Sequence, residues 1–133
     1  MSAPDQLLVQ GLFDGRIPMA AHYRGGTQGT GFHWEINGSL GDILVTAPVG
    51  HPQMAPLLVS RSDPGGTFVP SDISNALHDG FPDHPVPGNV ARLYARMASD
   101  IRSGSRTAPR FEDGLALHQM IAGIQDVAVR RCG

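Results

Sequence analysis

The pair Asp14-Gly15, which stands between two β-prone segments, is the feature that most constrains the fold of this chain. A tight two-residue hairpin turn needs positive φ at both central residues, and Asp-Gly adopts that conformation readily. The sequence therefore predicts an antiparallel hairpin formed by residues 6–13 and 16–24. A two-residue turn would place Phe13 opposite Arg16, and this one contact would fix the register of every other pair.

The predicted register distributes apolar residues over both faces of the hairpin. An antiparallel sheet usually buries only one face, so we expect a second copy of the chain to bury the other and give a dimer or larger homo-oligomer. Arg16 and Arg24 would remain in solvent at the rim of that interface. The alternative is edge-to-edge pairing through an unpaired strand. The face assigned to the interface carries Leu7, Val9, Phe13, Pro18, Ala20 and His22.

Length and charge limit the classes of function that are open to the chain. At 133 residues it is expected to form one domain. Its net charge of -2 argues against nucleic acid as a partner, because phosphate contacts need a basic surface. All of the basic residues are arginine, so Schiff-base chemistry and a P-loop lysine are excluded.

Cysteine usage and hydropathy predict a cytoplasmic protein. Cys132 is the single cysteine, which excludes an intrachain disulfide and a thiolate zinc site. The first residues lack the pattern of a signal peptide, and no run approaches the roughly 20 apolar residues of a membrane span. We therefore expect no membrane contact.

The first half of the chain, residues 5–70, is predicted to be a β-meander. Alternating or β-branched segments bounded by glycine and proline continue the hairpin into further strands. Residues 71–88 are predicted to be a connector, in which Ser71 is expected to cap one helical turn over residues 71–77 and the proline- and glycine-rich residues 78–88 are expected to be irregular. The strands that follow the hairpin are predicted at residues 32–37, 43–47, 57–61 and 67–69.

The hydrophobic period changes from two to about 3.6 in residues 89–131, which predicts a helical pair. Asn89 is the expected N-cap of the first helix, and Gly104 is expected to end it. Glu112 and Asp113 lie at the start of the second helix, where the helix dipole favours negative charge. Each helix has an apolar stripe, so we expect both to pack on one face of an antiparallel or mixed open sheet. The predicted fold class is α+β.

Five residues have side chains suited to ligand or partner contact. Tyr23 and Trp34 offer aromatic faces to a polyol, and the Arg24 guanidinium suits a carboxylate. The alternative for these three is two core aromatics beside a surface arginine. Glu35 and Asp42, on adjoining predicted strands, are either a carboxylate pair for glycoside chemistry or solvated strand ends.

Two loops have the composition of ligand sites but also a simpler interpretation. The glycine-rich residues 25–31 suggest a phosphate cradle, yet no lysine follows and the dinucleotide fingerprint is incomplete, which favours a flexible hairpin loop. His78, Asp79, Asp83 and His84 cluster around prolines that prevent a helical presentation to a metal, which favours a solvated loop. We assign no catalytic, cofactor-binding or metal-binding residue in this chain.

Several short motifs occur in an order and spacing that span nearly the whole chain. They are DQLLVQGL at 5–12, YRGG at 23–26, EINGSLGDI at 35–43, NVA at 89–91 with Tyr94, and PRFEDGL at 109–115 with His118. In this order they resemble the C-terminal domain of the glucose-fructose oxidoreductase, inositol dehydrogenase and MocA family. The branch they resemble includes the yeast galactose-regulon repressor.

This resemblance implies the later part of a substrate and assembly domain. Intact family members carry an NAD(P)-binding domain with a glycine fingerprint and a catalytic lysine, and neither has a counterpart in this sequence. We therefore expect the chain to be inactive alone. Two classes of function stay open: the sheet domain of a sugar-type oxidoreductase that needs a separate nucleotide-binding domain, or a non-enzymatic binding or oligomerisation module, including a regulatory one.

Overall fold

The fold is described from a computed structural model, which describes residues 5–26, 29, 31–72 and 80–131. These residues form an α+β fold of antiparallel open sheets followed by C-terminal helices, which confirms the predicted class. The elements are β1 (Gln6–Phe13), β2 (Ile17–Arg24), β3 (Phe32–Gly38), β4 (Gly41–Ala47), β5 (Leu58–Ser62), β6 (Val69–Pro70), α1 (Pro85–Ser103) and α2 (Phe111–Arg131).

Backbone contacts divide the chain into two compact units. The hairpin unit comprises Met1–Thr27 and Pro109–Gly133, and so holds β1, β2 and α2. The sheet unit comprises Gln28–Ala108, and so holds β3 to β6 and α1. The strands predicted as one meander belong to two sheets, because the pairing of β1 with β2 is not continued into β3. The single domain expected from the length stays a prediction.

The turn of the hairpin has the predicted conformation but a different register. Asp14 and Gly15 both have positive φ, at 50° and 68°, and the Arg16 amide donates to the Phe13 carbonyl at 3.2 Å. However, Phe13 pairs with Ile17, not with Arg16. A cross-strand pair of an aromatic and a β-branched side chain is more favourable than the Phe13 and Arg16 pair that a two-residue turn would give. Arg16 therefore joins the turn, with its guanidinium 3.2 Å from the Asp14 carboxylate.

This shift of one residue redistributes the hairpin side chains between the two faces. Paired residues share a face, so Leu7, Val9 and Phe13 lie with their partners Tyr23, Ala21 and Ile17. The predicted interface set was wrong in this respect: its other members, Pro18, Ala20 and His22, lie on the opposite face, paired with Leu12, Gln10 and Leu8.

The sheet unit contains the order β3-β4-β5-β6, with every neighbouring pair antiparallel. Ser39 and Leu40 form the two-residue connection between Gly38 and Gly41, which are themselves paired. Gly41 has φ of 130°, and a Cβ atom there would overlap the Ser62 carbonyl oxygen. Only glycine therefore fits at the start of β4 without a shift of β5.

Helix α1 begins one turn earlier than predicted. His84 is the N-cap, its Nδ1 accepting from the Val86 amide at 3.4 Å, and Pro85 follows at the first helical position, where a missing amide proton costs nothing. Asn89 therefore lies inside the helix, and the last part of the predicted connector 71–88 is helical. Gly104 ends α1 as predicted, with φ of 71° and its amide donating to the Asp100 carbonyl at 2.8 Å.

Helix α2 begins with a capping interaction of Asp113, which the sequence analysis placed at the start of this helix. The Asp113 carboxylate accepts from the Arg110 amide at 2.8 Å, in the manner of a capping box. Glu112 and Asp113 thus lie in the first turn, as predicted from the helix dipole. The helical turn predicted from Ser71 lies largely in residues 73–79, outside the described residues.

Burial is slight in the described part of the chain. Its buried residues are small (Ala47, Ala55, Ser62 and Gly88), and no large side chain there is fully buried. The extensive contacts between described elements are those between neighbouring strands. Packing of both helices on one face of a sheet stays a prediction.

The Asp100 carboxylate holds the loop that leaves α1. It accepts from the Ser105 hydroxyl at 2.6 Å, from the Ala108 amide at 2.7 Å and from the Thr107 amide and hydroxyl at 2.8 and 2.9 Å. These bonds, the Ser105 bond foremost, lower the pKa of Asp100 to about 2. The Asp100 carboxyl group is therefore ionised when it holds the loop.

We predict an acid-dependent loss of stability that depends on Asp100. A carboxyl group whose pKa is lowered on folding stabilises the fold above its unfolded pKa of about 4, and this contribution is lost as pH falls through about 2. Urea unfolding between pH 5 and pH 2 should show a smaller pH dependence for Asp100→Asn than for the unmodified chain. Asp72→Asn, at an exposed position in the same unit, is the control. An unchanged slope in Asp100→Asn would contradict this role.

Candidate functional site

A polar cluster lies on one face of the four-stranded sheet. Alternate residues of β3 share a face, and the register places Asp42 opposite Asn37 and Ser62 opposite Asp42. The members of the polar cluster are His33, Glu35, Asn37, Asp42 and Ser62.

The Asn37 side-chain amide joins the two carboxylates of this cluster. It donates to Glu35 Oε1 at 2.9 Å and to Asp42 Oδ1 at 3.1 Å. Asp42 also accepts from the Gly38 amide at 3.3 Å and from the buried Ser62 hydroxyl at 3.4 Å. Glu35 and Asp42 are therefore parts of one hydrogen-bonded network at the surface of the sheet.

This geometry bears on the glycoside interpretation of Glu35 and Asp42. Glycoside hydrolysis needs two carboxyl groups on either side of a scissile bond, with a gap for the sugar or for water. Here one oxygen of each carboxylate accepts from the same Asn37 amide nitrogen, so this amide lies between the two carboxyl groups. The network is better suited to joining β3 to β4 and to offering polar groups to a ligand at its margin.

An open depression adjoins the cluster at the end of the sheet. Its volume is about 590 Å³, and it lies where the β3–β4 turn meets the loop between β5 and β6. Asp42 and Ser62 contribute to it from the polar cluster. Sequence inspection missed the lining residues from Arg61 onward, because only the pairing of β4 with β5 brings them beside Asp42. The lining residues are Leu40, Gly41, Asp42, Ile43, Arg61, Ser62, Asp63, Gly66, Thr67 and Val69.

The predicted contact residues Tyr23, Arg24 and Trp34 are divided between the units. Tyr23 and Arg24 belong to the hairpin unit, where adjacent strand positions place them on opposite faces. Trp34 belongs to the sheet unit and pairs with Val45, on the face opposite the polar cluster. Tyr23 is 63% exposed and Trp34 is 56% exposed, so neither is a core aromatic residue.

The glycine-rich loop does not fit a dinucleotide. In dinucleotide-binding folds the glycines lead into a helix, whose N-terminus receives the pyrophosphate. Here residues 25–31 lead into strand β3, and residues 27, 28 and 30 lie outside the described residues. The described loop residues therefore offer no helix terminus to the phosphates of NAD(P).

The histidine and aspartate group in the connector is only partly described. His78 and Asp79 lie outside the described residues, and His84 caps α1. Among the described residues, no group of three or more histidine, cysteine, aspartate or glutamate side chains is placed to hold a metal ion. Likewise, no helix within the described ranges is long and apolar enough to cross a membrane.

One face of the hairpin is free of charge. This uncharged hairpin face combines the residues that the observed register places together, and its largest side chains are strongly exposed, Phe13 at 67% and Ile17 at 59%. The opposite face carries Arg24 and a contact of 3.1 Å between His22 Nε2 and Gln6 Oε1. The members of the uncharged hairpin face are Leu7, Val9, Gly11, Phe13, Ile17, Met19, Ala21 and Tyr23.

Comparison of the chain with protein-family models, with curated proteins and with solved structures found no match. The assignment of a function therefore depends on the surfaces described above and on the motifs of the sequence.

We predict that Asn37 is the residue on which the polar cluster depends. Asn37→Ala removes both amide hydrogen bonds and leaves Glu35 and Asp42 facing each other, so we expect a loss of unfolding free energy on the order of 1 kcal/mol. His33→Ala is the control, because His33 contacts Glu35 at 3.5 Å in solvent, and an exposed pair of this kind contributes little. Urea unfolding of both variants is the measurement. Equal losses would show that Asn37 has no special role.

Proposed function

We propose that this chain is a binding and assembly module, which associates with a second copy through the uncharged hairpin face. The observation that carries the proposal is the combination of an uncharged face and strongly exposed large side chains on it, including Phe13 and Ile17. Contiguous exposed apolar surface of this kind marks interaction sites in proteins.

The physical reason is that a two-stranded sheet needs a further layer. An isolated hairpin is at best marginally stable in water, and the extensive contacts of β1 and β2 are with each other. A second layer that covers the uncharged hairpin face would supply the missing burial. A second copy suits this face, because two uncharged surfaces meet without repulsion and a two-fold axis uses the same patch twice.

A second candidate function is the substrate and assembly domain of an NAD(P)-dependent sugar-type oxidoreductase. The observation that favours it is the order of elements, antiparallel strands followed by two helices, together with the motifs that resemble this family. In that case a separate nucleotide-binding domain would be the partner, and the polar cluster beside the open depression would be the region nearest in chemistry to a polyol site.

We predict that Phe13→Arg dissociates the homo-oligomer and that Leu12→Arg does not. The two residues are neighbours in β1 with similar exposure, 67% and 62%, but they lie on opposite faces. Burial of an unpaired arginine at the interface is strongly unfavourable, whereas the same charge on the other face stays in solvent. Gel filtration with light scattering at micromolar concentration measures the assembly, and circular dichroism checks the fold.

A monomeric unmodified chain at that concentration would refute assembly through this face. Equal dissociation by both variants would instead point to edge-to-edge pairing, because either arginine would then disturb the same strand edge.

We predict that the chain alone does not bind NADH or NADPH tightly. It has no lysine, and its glycine-rich loop leads into a strand, so the phosphates lack both a cation of the P-loop type and a helix terminus. Calorimetric titration of the purified chain should show no binding at micromolar cofactor. Micromolar affinity would contradict this and would favour a cofactor site within the chain.

A further inference from the structure

The end of strand β3 carries the step Asn37-Gly38, in which an asparagine precedes a glycine. Asparagine is a thermolabile residue, because the backbone nitrogen of the next residue can attack its side-chain amide carbon. Glycine in the next position hinders this attack least, since it has no side chain. Both residues are exposed, so water reaches the step. The sequence and the exposure together make Asn37 a candidate for spontaneous deamidation.

Deamidation of Asn37 consists of the loss of ammonia and the uptake of water. The Gly38 nitrogen forms a bond to Asn37 Cγ, and the bond between Cγ and Nδ2 breaks. The proton lost from the Gly38 nitrogen leaves with Nδ2 as ammonia. Water then opens the cyclic imide at either of its carbonyl groups, which gives aspartate or isoaspartate. No oxidant or reductant takes part.

One carboxylate oxygen holds both of the nitrogens that take part in this reaction. Asp42 Oδ1 accepts from the Gly38 amide at 3.3 Å and from Asn37 Nδ2 at 3.1 Å. Attack requires the Gly38 amide to lose its proton, and the Asp42 carboxylate repels the negative charge that would form there. Glu35 Oε1 also holds Asn37 Nδ2, at 2.9 Å. The polar cluster thus binds the attacking and the leaving nitrogen in an arrangement that opposes their reaction.

The product of deamidation would lack the contacts that Asn37 makes in the polar cluster. Aspartate has no amide donor, and it would bring a third carboxylate between Glu35 and Asp42, where like charges repel. Isoaspartate would also lengthen the main chain by a carbon atom at the position that pairs with Asp42. The modification would therefore break the hydrogen-bonded connection between β3 and β4 beside the open depression.

We propose that Asn37-Gly38 is a deamidation site that the polar cluster restrains, with Asp42 as the positioning residue. Asp42 forms no bond to the reacting atoms and acts by holding both nitrogens through hydrogen bonds. Loss of these bonds releases the step to react. The inference concerns the sheet unit alone and does not rest on the proposed assembly.

The rate of deamidation in the folded chain tests the role of Asp42. Each chain is incubated in mildly alkaline buffer and digested, and mass spectrometry follows the conversion of the Asn37 amide to an acid. We expect at least fivefold faster conversion in Asp42→Ala than in the unmodified chain. Asp72→Ala, at an exposed position in the same unit, is the control and should react at the unmodified rate. Asn89 is an internal standard that should stay intact, because the β-branched Val90 follows it.

Weaker strand pairing is a different cause of faster deamidation, and Val45→Ala separates it from the role of Asp42. Val45 is half-buried in β4 and pairs with Trp34 on the face opposite the polar cluster. Its truncation therefore weakens the same pair of strands and leaves the cluster in place. We expect Asp42→Ala to react at least fivefold faster than Val45→Ala. Equal rates in these two variants would overturn the proposal, because the rate would then follow strand opening alone.

Two further measurements keep the test decisive if Asp42→Ala does not fold. Asp42→Asn keeps an acceptor oxygen and removes only the charge, and it should react at least twofold faster than the unmodified chain. The unmodified chain in urea, where the cluster is absent, should also react faster than the folded chain. Equal rates in urea and in the folded state would overturn the restraint. Slower conversion in Asp42→Asn or Asp42→Ala would overturn it as well, because Asp42 would then promote the reaction by passing the Gly38 proton to the leaving nitrogen.

Discussion

The pairing of Phe13 with Ile17 decides the chemistry of both hairpin faces. Because side chains alternate along a strand, a shift of one residue in β2 moves every one of its side chains to the other face. The observed register leaves one face without a charged residue or a glutamine and places both glutamines, His22 and Arg24 on the other. The assembly function proposed for the chain follows from this separation, which the register of a two-residue turn would have blurred.

The sheet unit uses polar contacts where larger proteins use a core. The amide of Asn37 joins two strands by bridging Glu35 and Asp42, and the Asp100 carboxylate fixes the loop after α1. Hydrogen bonds of charged groups to amides are the stronger kind, but each contributes little when exposed to solvent. The hairpin and both helices expose apolar surface, and its burial on association would therefore be the largest further source of stabilisation.

These surfaces are compatible with either class of function. A binding and assembly module needs only the exposed apolar faces, whereas a substrate domain would also need a polar site such as the one beside Asp42 and Ser62. The residues that the sequence indicated for ligand or partner contact, Tyr23, Arg24 and Trp34, belong to two different units. Their exposure suits partner contact more than a shared pocket.

The sequence by itself determined the features that depend on near neighbours in the chain. It determined the positive φ of Asp14 and Gly15, the strands of both sheets, the end of α1 at Gly104 and the acidic start of α2, because each depends on a few adjacent residues. It misplaced the start of α1. The helix is capped by His84, with Pro85 at the first helical position, and not by Asn89, although asparagine is the more usual N-cap.

Only the tertiary structure decided the features that depend on distant residues. The register of β2 and the meeting of Asp42 with Ser62 both follow from contacts across strands. The physical reason is that hydrophobic periodicity specifies which residues share a face but not what that face contacts. The apolar stripe of α1 was evident from spacing alone, yet the residue of α1 that is buried is Gly88, where a Cβ atom would overlap the Pro82 carbonyl oxygen of the preceding loop.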